Sequence, residues 1–191
     1  MVRKPIPVDD YDGGGNYETP VPGSVVAVVG GLYDVGYQDS EKYGIKPKVV
    51  IAYELEERDS KGRRFVVFAP YTRSVHEKSA LRPVLDACRP DFAQLPKDDR
   101  KTFDLTSLEG SSVMLTVKVT SKGRARATGV APLPAQLKPG LEREGDYAEP
   151  FGLAAWFLDQ SIPADKAHAL MAKRQAEAAK ASKEGAGEIP F

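Results

Sequence analysis

The stretch KVVIAYELEERDSKGRRFVVFAPY, residues 48–71, holds two apolar runs around a polar turn. In residues 48–56 the positions Val49, Ile51, Tyr53 and Leu55 alternate with their neighbours. That spacing puts them on one face of a half-buried strand. RDSKG, residues 58–62, is a five-residue turn into RRFVVFAPY, so the pair predicts a β-hairpin. In its second strand the favoured phase turns Phe65, Val67 and Ala69 to the core and Arg64, Val66 and Phe68 outward. The opposite phase puts Phe65 outside.

Upstream, SVVAVV at residues 24–29 is a β-branched run stopped by Gly30 and Gly31, and predicts a first strand. YDVGYQDSEKYG then reads as a long loop. Downstream, SVHE at residues 74–77 fits a capping box, with Ser74 accepting from a backbone N–H and Glu77 reaching back. Val75, Leu81, Leu85 and Cys88 would line one face of the helix it opens, and Pro83 would kink that helix. FDLTSLEG gives one helical turn. SVMLTVKVT alternates again, with Val113, Leu115, Val117 and Val119 inward and Thr116, Lys118 and Thr120 outward. The turn SKG leads to RARATGV, and Pro132 and Pro134 end the sheet.

Three strands, a helix and two strands is the element order of the five-stranded OB-fold barrel. Other small barrels and α+β sheets share this order as alternatives. The expected organisation is a flexible Pro-, Gly- and Asp-rich segment over 1–23, the barrel over 24–134, and a polar linker with a short apolar stretch, FGLAAWFLDQ, over 135–162. An Ala-, Lys- and Glu-rich helix follows over 163–184, then a mobile tip over 185–191.

Composition narrows the function classes. No apolar run approaches the ~20 residues of a membrane helix, and MVRKPIPVDD lacks the apolar centre of a signal peptide. The lone Cys88 suits a reducing compartment, so a cytoplasmic location is expected. The net charge is zero, but residues 44–131 carry 17 basic and 11 acidic side chains, between acidic ends. A basic middle points to a polyanion.

Catalytic and cofactor chemistry find little support. VVAVVGGLYDVG runs a strand into glycines, but no helix follows to receive a phosphate. His76 and His168 are far apart and Cys88 has no partner at ligand spacing, so no metal or other cofactor is expected. Asp98 and Asp99 sit among polar neighbours, and Ser74, His76 and Asp86 form no triad if Ser74 caps a helix. No enzyme is expected.

A nucleic-acid surface remains. Single strands bind where cations track phosphates and aromatic faces stack bases, at roughly 1–3 kcal/mol per base. The first hairpin and its loops offer Tyr33, Tyr37, Tyr43, Lys46, Lys48, Arg64, Phe68, Tyr71 and Arg73, and the second offers Lys118, Arg124 and Arg126 in the outward phase.

The segments GGGNYETPVPGSVVAVVGGLYDVG, AYELEE and YTRSVHEKSALRPVLDACR resemble bacteriophage and mobile-element proteins of the OB-fold single-stranded DNA-binding class. The resemblance covers about residues 12–134, and is most specific over residues 74–82. It departs where Pro83 and DACRPDF replace a longer helix ending in Trp-Arg-Gly. The chain ends in GEIPF, and Ile189, Pro190 and Phe191 match the tip of bacterial single-stranded DNA-binding proteins. That tip implies recruitment of replication or recombination enzymes; the acidic run before it is missing here. A homo-oligomer is compatible with this reading. The alternatives are an adaptor that binds no nucleic acid and an RNA-binding OB protein.

Overall fold

Alternating β-branched residues set the architecture of the computed structural model, which describes residues 18–185 except Lys42, and side chains as far as residue 179. It is mainly β. Five strands, β1 (Gly23–Gln38), β2 (Lys46–Arg58), β3 (Arg64–Thr72), β4 (Ser112–Val119) and β5 (Ala125–Pro132), form one antiparallel sheet in the order β3-β2-β1-β4-β5. The helices are α1 (Arg82–Cys88), α2 (Lys97–Lys101), α3 (Leu153–Asp159) and α4 (Ala164–Gly185). Among the described residues, no helix is long and apolar enough to cross a membrane.

The hairpin behaves as its alternation predicts. Val49, Ile51, Tyr53 and Leu55 are buried on the inner face with Val67 and Ala69, and Phe65 packs beside them. Val113, Leu115 and Val117 join them from β4, and Leu81, Val84 and Leu85 close the core from below the strands. The turn is held by Asp59, whose Oδ1 accepts from the N–H groups of Lys61 and Arg63, both at 2.9 Å.

Four expectations need correction. First, β1 runs straight through Gly30 and Gly31 to Gln38. The glycines mark a bulge between Val29 and Gly31 rather than a strand end. Second, α1 starts at Arg82, with Pro83 in its first turn. Proline lacks an N–H and is tolerated only there, so it opens this helix instead of kinking a longer one. Ser74 Oγ accepts from the N–H of His76 at 3.3 Å, a local turn, and the capping box does not form.

Third, the lead-in is tied down where it is described. Glu18 accepts from the N–H and hydroxyl of Ser60, and Glu57 accepts from the N–H of Val21 at 3.0 Å. Residues 1–17 lie outside the described residues. Fourth, residues 141–162 are not a linker. They lie across the outer face of β1, β2 and β3 as a strap. There Tyr33, Val35, Val50, Ala52, Tyr147 and Ala154 form a second buried cluster. β2 is therefore buried on both faces. The space comes from the glycine pair: a Cβ on Gly30 would stand 2.6 Å from Tyr147 Cζ, and one on Gly31 2.8 Å from Tyr147 Cβ.

Candidate nucleic-acid interface

The strap is anchored on a charge inside an apolar strand. Glu54, 2% exposed, points to the outer face of β2. Its carboxylate accepts from the Tyr147 hydroxyl at 2.8 Å, from the N–H groups of Glu144 and Gly145 at 3.1 Å, and from Arg64 at 3.2 Å. Arg64 also reaches the Glu142 carbonyl at 2.7 Å and the Glu144 carboxylate at 2.7 Å. Arg58 completes the network on Glu144 at 2.6 Å and holds that carboxyl below its ordinary range. A buried carboxylate is tolerated only with such partners.

Three residues expected in an open groove are enclosed by this cover. Tyr33 is 7% exposed and donates to the Tyr147 carbonyl at 3.2 Å. Phe68 meets Phe151 edge-on, with centroids 5.0 Å apart. Arg64 is committed to its carboxylates. None of the three offers a ring face or a charge to a ligand in this arrangement.

Other candidates have their own partners. Tyr37 shares a 2.9 Å hydrogen bond with His168 of α4. Tyr71 turns inward, where its hydroxyl and that of Tyr53 are 3.2 Å apart. Arg73 pairs with Asp34. Lys48 donates to Thr72 Oγ1 at 3.0 Å, and partial burial lowers its pKa. Lys46 is exposed at the start of β2. Tyr43 is 64% exposed in the loop before it.

The second hairpin keeps its cations outside. Lys118 and Arg126 are exposed register partners on β4 and β5, directly across the ladder from one another. Among the described residues neither makes an ion pair with a carboxylate. Arg124 is exposed at the turn just before β5, where its N–H donates to Thr120 Oγ1 at 3.1 Å. The same outer face continues through Thr116 opposite Ser24 and Met114 opposite Val26. The strap does not extend its buried cluster to this side. Two like charges placed opposite each other cost the sheet roughly 0.2–1 kcal/mol, and an anion between them removes that cost.

No family model matches this chain, and neither does any curated protein. The reading therefore rests on geometry and on the residues themselves. Among the described residues, no group of three or more His, Cys, Asp or Glu side chains is placed to hold a metal ion. Burial pushes the Cys88 thiol up to about 11, so it is protonated at neutral pH. The tip residues Ile189, Pro190 and Phe191 lie outside the described residues. Sequence reasoning passed over Glu54, Tyr147 and Trp156. An acidic residue in the middle of AYELE and a single Trp in an apolar segment were the available signals.

The cover gives the protein an alkaline limit. Burial pushes Tyr33 up to about 12 and raises Tyr147 further, with the bond to Glu54 as the second cause. Both phenols are held in the neutral form, so their folded pKa exceeds the unfolded value of about 10. The stability they contribute is complete below about pH 10 and declines as the pH climbs toward 12. Thermal melts across that window should show the loss, and the double variant Tyr33→Phe, Tyr147→Phe should flatten it. An equally steep decline in the double variant would place the limit elsewhere.

Proposed function

We propose that the protein binds single-stranded DNA through the outer face of β4 and β5, on an OB-fold barrel. The observation that carries this reading is the directly opposed Lys118–Arg126 pair beside the Arg124 turn. That pair sets two exposed cations side by side on a sheet face that the strap leaves uncovered, where they can meet phosphates. The strand order supports this reading: β3-β2-β1-β4-β5, with a helix between β3 and β4, is the order an OB barrel would show if opened between β3 and β5, and these two strands approach each other. OB folds use the loop between β4 and β5 for oligonucleotides, and here that loop carries Lys122 and Arg124. The resemblance over residues 12–134 supports a role in phage or mobile-element replication and recombination, which would take place in a host cytoplasm. Ile189, Pro190 and Phe191 would then recruit an enzyme of that machinery.

The test compares strands. Fluorescence anisotropy of labelled oligo-dT should report binding, and an unlabelled duplex of equal length should compete at least about tenfold less well. A duplex hides its base faces and holds its phosphates at a fixed spacing, whereas a single strand adapts to the sheet. Equal competition by the duplex would reject the single-strand reading. Preferential competition by oligo-U would transfer it to RNA, and no binding at all would leave an adaptor.

A further inference from the structure

α3 presents one large aromatic to solvent. Ala154, Phe157 and Leu158 turn to the sheet and pack in the outer cluster, while Trp156 stands 52% exposed. Its ring forms a T-shaped pair with Phe157, with centroids 5.0 Å apart, and about half of the residue stays open to water. Exposing this much of an indole contributes nothing to folding. Among the described residues, Tyr43 and Trp156 are the two aromatics among the exposed large apolar side chains.

The ladder brings these two to one end of the sheet. The Phe157 carbonyl, one residue from Trp156, accepts from Gln38 Nε2 at 2.8 Å. Gln38 is the register partner of Lys46. Lys46 and Lys48 share the outward phase with Val50 and Ala52 and lie past the covered part of β2. The loop holding Tyr43 ends at Ile45, directly before Lys46. α3 thus meets the end of β1 at the same end of the sheet as the exposed Lys46 and the loop that carries Tyr43.

We infer that Trp156 stacks an unpaired base of single-stranded nucleic acid, with Lys46 taking the adjoining phosphate. The inference rests on the single-strand reading above. It adds a contact outside the five-stranded sheet, at the opposite end of β1 from Lys118 and Arg126. A strand that reaches both sites passes over the strap that covers the middle of β1. The exposed Lys46 at this end of the sheet favours a polyanion over an apolar protein surface.

The only Trp in the chain reports on its own site. The full protein is titrated with oligo-dT longer than about 16 nucleotides, the upper site size of one OB fold. Intrinsic fluorescence is followed alongside anisotropy of the labelled strand. Quenching should saturate with the anisotropy, and Trp156→Ala should weaken binding about 5- to 150-fold with an unchanged salt slope. Trp156→Phe should keep part of the affinity. Because Trp156 is exposed, both variants should melt like the parent. Anisotropy without quenching, or unchanged affinity in Trp156→Ala, overturns the Trp156 site and leaves the β4–β5 face standing. Absence of any anisotropy change overturns both.

Discussion

Replacing Lys118, Arg124 and Arg126 together by Ala should remove most of the DNA affinity at low salt and little of it at high salt. Each lost phosphate contact lowers the log–log salt slope by about 0.7 on a single strand, so three lower it by about 2. At about 50 mM salt that amounts to two to three decades of affinity, shrinking to nothing near 1 M. Anisotropy titrations at four or more salt concentrations measure the slope directly. The fold supplies an internal control. Removing two like charges that face each other across β4 and β5 should leave the melting temperature unchanged or slightly higher. A weakened variant with the parent's salt slope would show that these cations do not meet phosphates.

The second large effect concerns Glu54→Ala. The substitution removes the acceptor for Tyr147, Glu144, Gly145 and Arg64 at once. Breaking a buried ion pair from one side costs about 3–5 kcal/mol, which lowers the melting temperature by roughly 6–20 °C in a chain of this size. The damage should begin in the strap, so limited proteolysis should cut within residues 141–162 before the strands open. Glu54→Gln keeps an acceptor for the Tyr147 hydroxyl and the backbone N–H groups, and should fall between the two. An unchanged melting temperature in Glu54→Ala would mean that apolar packing alone holds the strap.

The inner face was legible because a strand has a period of two. Val49, Ile51, Tyr53 and Leu55, and later Val113, Leu115 and Val117, declare it in any window of eight residues. Alternation also assigned Lys118 and Arg126 to the outside. It could not say whether an outside face stays open. Phe68 has the outward phase in the sequence and lies against Phe151 in the structure, because a segment 83 residues later returns to cover it. That segment, EREGDYAEP and its neighbours, has no period of its own. It docks through single side chains aimed at Glu54 and at two glycines. Gly30 and Gly31 looked like a strand end because the usual meaning of paired glycines is a turn; here they admit a ring. The helix after β3 was misplaced for a related reason: local capping residues at Ser74 and Glu77 were outweighed by Pro83.

The bonds between Tyr33 and Tyr147 and between Glu54 and Tyr147 span 114 and 93 residues. During synthesis, therefore, β1 and β2 leave the ribosome well before the segment that shields their second surface. Until then Tyr33, Val50, Ala52 and Phe68 form a bare apolar patch, the kind that draws chaperones or other nascent chains. The self-sufficient folding piece consequently ends near the first turns of α4, where His168 meets Tyr37, not at the last strand. A gene fragment cut after β5 would encode a sheet with its back uncovered.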